Sequence, residues 1–458
     1  MPTLDVTVSG DLIVHSPNER LSEAMIQVIS TPNPEFRSRQ RLGLSTVDIP
    51  ARITAAKTVG ENVLLPRGCV SELKDLAKDA HYENISWTDA RSSGEFVLFP
   101  ECSFEPRKYQ STGANKIKDN TQGTIVLPCG TGKSLLGVEA IRRIGVTALV
   151  IVPTKEILNQ WVEDAREHLQ TDPGTILEGK VKLAPVTIGI IDSINNKLEF
   201  SDLDYFGFVV HDECHRSCAR KNQRVMSNIR AKWRLGLTAT KMREDGLTKL
   251  IDWTFGECLL EKSLEYMFSH GYLLKPEIFP VETGFNYVHA GLKFREVDHI
   301  HSALIDNGER INVIVSLAKK IIAESNTTTL LVLANRVEYC EILCEAMKTQ
   351  DLPAEVVTSH SGKKYRKETI AKFKAGEIRV MLATSLADEG LNVTRLSDII
   401  LAFPERARGR TIQRLGRVMR PFDGKYPRLW DIVDTHQPML ASRWEARQRT
   451  YKKLGLLT

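Results

Sequence analysis

Gly123-Thr124-Ile125-Val126-Leu127-Pro128-Cys129-Gly130-Thr131-Gly132-Lys133-Ser134 is the stretch that decides the fold. The apolar run Gly123–Leu127 leads into it, and a helical stretch, Leu135–Ile144, leads out. Strand, glycine loop and helix in that order form a phosphate-binding loop. The glycines let backbone N–H groups close around phosphate, and the helix N-terminus adds its positive end. Lys133 is placed to reach the β- and γ-phosphates of a nucleotide, and Ser134 to put its hydroxyl on Mg²⁺. The strict pattern opens with Gly where Leu127 stands, and Pro128 follows it, a departure from the general rule.

Outward from this loop, short apolar runs alternate with helical stretches. Gly123–Leu127, Thr147–Val152, Val186–Ile191, Phe206–Val210 and Leu235–Leu237 form one series. Thr329–Leu333, Ala354–Val357, Arg379–Ala383, Asp398–Leu401 and Leu429–Ile432 form a second, beginning near residue 310. Strands buried on both faces read as continuous apolar runs, so each series predicts a parallel sheet covered by helices. Between them, 265–310 carries Gly271, Pro276 and Pro280 and reads as a connector.

Residues 1–100 follow another rhythm. Leu4, Val6 and Val8 alternate, Ser9-Gly10-Asp11 offers a turn, and Leu12-Ile13-Val14 returns, which predicts a hairpin. Spacings of three and four predict helices over 21–30 and 69–78. Gly94–Phe99 reads as a further strand. The expected domains are 1–104, a small α+β accessory domain; 105–265 and 266–440, two α/β domains with the connector at the head of the second; and 441–458, a basic helical tail.

Phe206-Gly207-Phe208-Val209-Val210-His211-Asp212-Glu213-Cys214-His215 supplies the other half of a nucleotide site. An apolar strand ends in two adjacent carboxylates, and side chains at a strand's carboxyl end face the crevice where ligands bind. Asp212 is expected to hold Mg²⁺ and Glu213 to orient and polarise an attacking water. Phosphoryl transfer needs positioning and charge neutralisation more than covalent chemistry.

The bulk composition agrees with this reading without compelling it. The chain has 458 residues, 42% hydrophobic and 26% charged, as in globular proteins with several domains. The net charge of +5 suits a polyanionic partner but does not demand one. No apolar run approaches the roughly 20 residues that cross a bilayer, and the N-terminus lacks a secretory pattern. A cytoplasmic protein with no membrane partner is expected. Of the eight cysteines, Cys214/Cys218 and Cys340/Cys344 share a four-residue spacing, but neither pair has a second pair to complete a zinc site.

Tyr109-Gln110, Pro128–Ser134, Val152-Pro153-Thr154, Asp212-Glu213-Cys214-His215, Thr238-Ala239-Thr240, Ala383-Thr384 through Asn392, and Gln413–Arg420 occur in that order. Together they resemble the motif set of superfamily-2 helicases with a DExH-type second motif, over roughly residues 105–435. Leu235–Thr240 followed by Arg243-Glu244-Asp245-Gly246 resembles the XPB-like and UvsW-like branch of DNA helicases. Residues 32–68, with Asn33-Pro34-Glu35-Phe36 and Leu65-Pro66-Arg67-Gly68, resemble the N-terminal region of phage UvsW-type branch-migration helicases. One departure is Lys241, where relatives often carry Pro.

The resemblance implies two tandem RecA-like domains and an ATP-dependent DNA helicase or translocase that remodels branched DNA. The alternatives are a duplex translocase that separates no strands, or an RNA helicase. Its implied nucleotide contacts are Arg107, Gln110 (reading adenine), Cys129, Gly130, Thr131, Gly132, Lys133 and Ser134, with Gly390 and Asn392 near the ribose. Arg417 and Arg420 match the arginine fingers, and Gln413 braces them. Because Lys133 and Glu213 belong to the first α/β domain and the fingers to the second, the site is expected to complete itself when the domains close. His215, Thr238 and Thr240 are expected to couple ATP state to strand contact.

The implied partner is DNA: single-stranded and duplex junctions, forks, four-way junctions and R-loops, bound by a monomer. Expected strand contacts are Pro153, Thr154, Ser193, Asn335, Arg336, His360, Ser361 and Thr384, gripping phosphates, which carry no sequence. Trp161 is a candidate base stacker or a core residue. Two basic stretches, Phe36–Arg41 and 441–458 with Arg443, Arg447, Arg449, Lys452 and Lys453, are candidates for a second DNA arm.

Overall fold

A computed structural model describes residues 2–197, 199–240, 245–288, 296–384, 393–404, 415–416 and 418–457. The chain divides into two compact units. The first comprises Met1–Pro128 with Gly132–Lys262, the second Cys129–Thr131 with Ser263–Thr458.

The first unit opens with an α+β layer. Strands β1 (Thr3–Val8) and β2 (Asp11–Val14) form the expected hairpin, with Val8 opposite Leu12. After α1 (Glu19–Val28) come a two-stranded ribbon, β3 (Ser30–Pro32) with β4 (Arg52–Thr54), and α2 (Pro34–Arg41) between its strands. Strands β5 (Lys57–Val59), β6 (Asn62–Pro66) and β7 (Asn84–Asp89), with α3 (Val70–Asp79), complete a sheet ordered β5-β6-β2-β1-β7.

Its core of Leu4, Val6, Leu12, Val14, Leu21, Met25, Leu65 and Leu73 also takes in Leu247, Leu250 and Trp253 from the following α/β layer. Two buried arginines cross the seam in opposite directions. Arg67 Nη1 donates to the Ala231 carbonyl at 2.6 Å, and Arg234 Nη2 donates to the Gly10 carbonyl at 3.0 Å. Burial holds both guanidinium groups below their ordinary pKa, that of Arg234 at about 10. Carbonyl dipoles satisfy these charges together with the attraction of the nearby Asp11 carboxyl.

The α/β layer carries α4 (Lys108–Asn120), β8 (Gln122–Val126), α5 (Lys133–Ile144), β9 (Ala148–Val152), α6 (Lys155–His168), β10 (Gly174–Leu177), β11 (Lys180–Lys182), β12 (Val186–Ile190), α7 (Ile191–Lys197), β13 (Phe208–His211), α8 (Arg220–Asn228), β14 (Trp233–Thr238), α9 (Thr248–Phe255) and β15 (Cys258–Glu261). The sheet order is β11-β10-β12-β9-β13-β14-β8-β15, parallel except for β10 against β11. The central strands are buried along their length, as their unbroken apolar sequences require.

The second unit holds α10 (Leu264–Ser269), β16 (Glu277–Glu282), α11 (Glu296–Ile305), α12 (Gly308–Glu324), β17 (Leu330–Leu333), α13 (Val337–Lys348), β18 (Glu355–Val357), α14 (Lys363–Ala375), β19 (Val380–Ala383), β20 (Asp398–Leu401), β21 (Arg428–Val433) and α15 (Pro438–Lys453). Its sheet, ordered β16-β21-β20-β17-β19-β18, is parallel throughout.

Three expectations need correction. Gly94–Phe99 is not a strand. Phe96 makes an isolated bridge to Val146, and Phe96 and Leu98 are exposed at 79% and 84%. Gly94 lies against Gly207, where a Cβ would fall 2.4 Å from the Gly207 nitrogen, so the segment crosses the entry to β13 instead of pairing along it. The stretch 265–310 is more than a connector, because β16 within it is an edge strand of the second sheet. Pro280 is tolerated there because an edge strand leaves one row of N–H groups unused. Finally, 441–458 is helical as expected as far as Lys453, but its basic residues are not all open to a DNA arm. In α15, Arg447 is buried and pairs with Asp431 at 2.8 Å, and Arg443 Nη1 lies 2.9 Å from both His301 Nε2 and the Pro404 carbonyl. Those two charges are committed inside the unit and are not spare for phosphate. No described helix is long and apolar enough to cross a membrane.

Candidate nucleotide site and strand-end surface

In the first unit, residues singled out in the sequence sit at the carboxyl ends of neighbouring strands. β8 runs into the phosphate loop, β13 into Asp212 and Glu213, β14 ends at Thr238, β9 runs into Pro153 and Thr154, and β12 into α7 with Ser193. In a parallel sheet this is the edge on which ligands lie.

Within the loop, Gly130 and Gly132 adopt positive φ of 83° and 78°, and Lys133 begins α5. A side chain at Gly132 would meet Gln110 Nε2 at 2.9 Å. Gln110 is buried and fixed at both ends of its amide. Its Oε1 accepts from the Arg107 N–H at 2.8 Å and its Nε2 donates to the Gly132 carbonyl at 3.1 Å. Arg107 Nη1 lies 3.2 Å from the Tyr109 hydroxyl. Arg107 and Gln110 are thereby built onto the loop.

Lys133 Nζ stands 3.8 Å from Glu213 Oε1. Glu213 is a non-glycine residue at φ 51°, a left-handed conformation that costs energy and clusters at functional positions. His215 Nδ1 lies 3.3 Å from Glu213 Oε2 and 3.1 Å from Thr238 Oγ1. Thr238 Oγ1 in turn donates to the Thr240 carbonyl at 2.9 Å. The three residues expected to couple the motifs therefore form one chain running from the carboxylate to the end of β14.

The two acids are driven apart in pKa. Burial, then the neighbouring Glu213 charge, raises Asp212 above the carboxylate range. Burial opposes ionisation of Glu213 as well, but Lys133 and then His215 outweigh it and hold that carboxyl low. A buried acid and a half-buried one beside Lys133 make a donor set suited to a divalent cation.

A residue whose role the sequence left undecided completes the site. Trp161 is 1% exposed, so it cannot stack a base. Its indole Nε1 donates to Asp212 Oδ2 at 2.9 Å, and the other oxygen, Oδ1, accepts the Glu213 N–H at 2.9 Å. Gln160 Nε2 stands 3.3 Å from Ser134 Oγ. The sequence signal was a helical tryptophan with an apolar face, whose N–H needs an acceptor when buried.

The second unit repeats the strand-end pattern. β17 leads to Asn335 and to Arg336, the exposed residue before α13; β19 leads to Thr384; β18 leads to His360 and Ser361. These three strands are adjacent. Thr358 N donates to Ser361 Oγ at 3.0 Å, shaping that turn. Thr384 is buried, and its hydroxyl has no hydrogen-bond partner among the described residues. Arg420 lies in this unit, its carbonyl accepting from Lys425 Nζ at 2.8 Å. Gly390, Asn392, Gln413 and Arg417 lie outside the described residues, as do Lys241, Arg243 and Glu244.

Comparison with known proteins places this architecture among nucleic-acid motors. Residues 103–243 match the family of the type III restriction enzyme res subunit, and 311–421 match the helicase conserved C-terminal domain, together more than half of the chain. The chain belongs to the superfamily-2 helicases and, within them, to the ATP-dependent DNA helicases and translocases of the XPB-like kind.

The DNA 3'-5' translocase XPB2 of Sulfurisphaera tokodaii is 27% identical over 355 residues, covering 70% of this chain and 79% of that protein. The DNA 3'-5' helicase XPB of Kineococcus radiotolerans is 25% identical over 332 residues, covering 69% of this chain but 57% of its own length. Among solved structures, the Pyrococcus furiosus Hef helicase domain shares the fold at a TM-score of 0.52 and 16% identity, over 75% of this chain and 98% of that one. T4 UvsW aligns over 99% of this chain and 98% of its own at 17% identity and a TM-score of 0.45.

Proposed function

We propose that this chain hydrolyses ATP with Mg²⁺ to drive DNA through branched substrates, as in branch migration or fork regression. The observation that carries the reading is the pairing of Lys133 with Glu213 at 3.8 Å, beside the buried acid Asp212, at strand ends of one sheet. Lys133 binds the β- and γ-phosphates. Ser134 and Asp212 hold Mg²⁺, which when bound offsets charge on the phosphates. Glu213 takes the attacking water, its ionised state favoured by Lys133. Arg417 and Arg420 approach from the second unit when the units close, and an arginine placed there is worth about 10³-fold or more in rate. Hydrolysis is thereby tied to domain motion.

One strand runs along the carboxyl ends of both sheets, held by Pro153, Thr154, Ser193, Asn335, Arg336, His360, Ser361 and Thr384. The branched-substrate reading draws support from the N-terminal layer, which shares a core with the first α/β layer and exposes Arg37, Arg39 and Arg41 on α2. A second DNA arm on that helix moves with the first unit. The relatives named as 3'-5' motors suggest the same polarity here.

The test compares ATPase stimulation by single-stranded DNA, duplex, a four-way junction and RNA, with strand-displacement and triplex-displacement assays alongside. Strongest stimulation by the junction, with strand separation, is expected. Triplex displacement without strand separation would convert the reading to a duplex translocase, and preferential stimulation by RNA would overturn it.

A further inference from the structure

Three residues on one side of α6 converge on the two side chains assigned above to the metal. Gln160 and Trp161 are adjacent, and Asp164 follows at i+4 and i+3 from them, which places all three on one helical face. Trp161 Nε1 donates to Asp212 Oδ2 at 2.9 Å. Gln160 Nε2 reaches Ser134 Oγ at 3.3 Å, and the Ser134 hydroxyl is near enough to the Asp164 carboxyl to favour its ionised form against burial. The indole has a prepared seat. A Cβ at Gly137, one turn into α5, would fall 2.4 Å from Trp161 Cη2. The missing side chain is what lets the ring lie against the helix that begins at Lys133.

From this geometry we infer that Gln160, Trp161 and Asp164 are positioning residues for the metal, setting the orientation of Ser134 and Asp212 through the middle of α6. The inference rests on the assignment of those two side chains as metal ligands. The physical reason is the freedom each ligand otherwise keeps. A carboxylate held by one backbone N–H at Oδ1 can still rotate, and a serine hydroxyl can turn its lone pairs away. An indole N–H on Oδ2 fixes the plane of the Asp212 carboxylate. The Gln160 donor occupies one lone pair of Ser134 Oγ and so fixes where the other points for a cation. Partners of this kind typically govern metal affinity by about 10–100-fold.

A second consequence follows from where α6 starts. Its N-cap is Thr154, whose Oγ1 accepts the Ile157 N–H. The same rigid helix therefore begins at a proposed strand contact and carries, two turns on, the residues that orient the metal ligands. A shift of α6 on strand engagement would be felt directly at Ser134 and Asp212.

The experiment measures binding of a fluorescent ADP analogue to the full chain with Mg²⁺ and with EDTA, together with the Mg²⁺ concentration for half-maximal ATPase. Trp161→Phe removes the donor and keeps a ring. Gln160→Leu, on a half-buried position, serves if Trp161→Phe fails to fold. Without Mg²⁺ the variants should bind as wild type does. With Mg²⁺ the gain in affinity should fall about tenfold and the half-maximal Mg²⁺ rise by a similar factor. A wild-type Mg²⁺ gain in folded Trp161→Phe, or in Gln160→Leu should that variant have to stand in, would overturn the inference. Asp212→Asn separates the two levels of the argument. If that variant also keeps the full Mg²⁺ gain, the metal assignment itself fails. If it loses the gain while Trp161→Phe keeps it, only the role of α6 fails.

Discussion

Each unit holds a pair of aspartate or glutamate side chains, buried or half-buried, near the end of a parallel strand, and the two pairs are built on opposite principles. In the second unit, Asp434 follows β21 and meets Arg310 at 2.9 Å with both side chains fully buried, while the Tyr339 hydroxyl accepts from Arg310 Nη1 alongside. Asp431 on the same strand pairs with Arg447 at 2.8 Å and accepts from the Tyr451 hydroxyl. Each acid has its own arginine. In the first unit, Asp212 and Glu213 share Lys133, and the closer approach is 3.8 Å. Their other partners are an indole, a backbone N–H and a histidine. Closed ion pairs serve the fold, whereas two adjacent acids that share one lysine, one raised and one lowered in pKa, fit the ligand-binding role proposed for them.

The largest effect that could break this comparison is on activity. Lys133→Ala should lower ATP turnover by about 10²–10³-fold, since a preorganised charge on the phosphates is lost, while DNA binding measured by anisotropy stays near wild type. A variant with substantial turnover would place the phosphate elsewhere.

Next in size is a stability effect confined to the second unit. Arg310→Met strands the Asp434 carboxylate in the core and should cost about 3–5 kcal/mol in denaturant unfolding. A cost under about 1 kcal/mol would show that Asp434 is not dependent on that arginine.

Helix caps give a smaller contrast. Asn307 accepts the Arg310 N–H at 2.8 Å at the start of α12, whereas Thr154 accepts the Ile157 N–H at 3.4 Å at the start of α6. Asn307→Ala should cost about 1 kcal/mol and Thr154→Ala less. The looser cap fits the strand contact proposed for Thr154, and equal costs would remove that distinction.

The smallest expected change is the most telling for the acids. Asp212 has a raised pKa in the folded state, so its ionisation works against folding as pH rises through that value. Asp212→Asn should therefore unfold no earlier than wild type at pH 7 in the absence of nucleotide, and its advantage should shrink as the pH is lowered. A clear loss of stability at pH 7 would mean that the carboxylate is structurally required.

How much of this could be read in advance depended on whether a residue's partner is near in sequence. The phosphate loop was legible because strand, glycines and helix are contiguous. The central strands were legible because burial on both faces leaves unbroken apolar runs, as in Ala148–Val152. β16 was hidden by Pro280 and by the alternating exposure of an edge strand. Arg447 looked like surface charge because nothing local announces Asp431, and the Gly94–Phe99 run looked like a strand because its pattern does not reveal that it crosses the sheet. Within the site, Asp212 and Glu213 stood out at the end of their strand. The hold of Trp161 on Asp212 joins residues 51 positions apart and exists only once β9, α6 and β13 are assembled.

The most direct measurement of the central claim is single-turnover ATP hydrolysis by purified Glu213→Gln in the presence of four-way-junction DNA, with Mg²⁺·ATP binding measured in parallel. Binding at wild-type strength with hydrolysis abolished is the predicted result. Hydrolysis at near the wild-type rate would contradict the assignment of these strand-end acids to the chemistry.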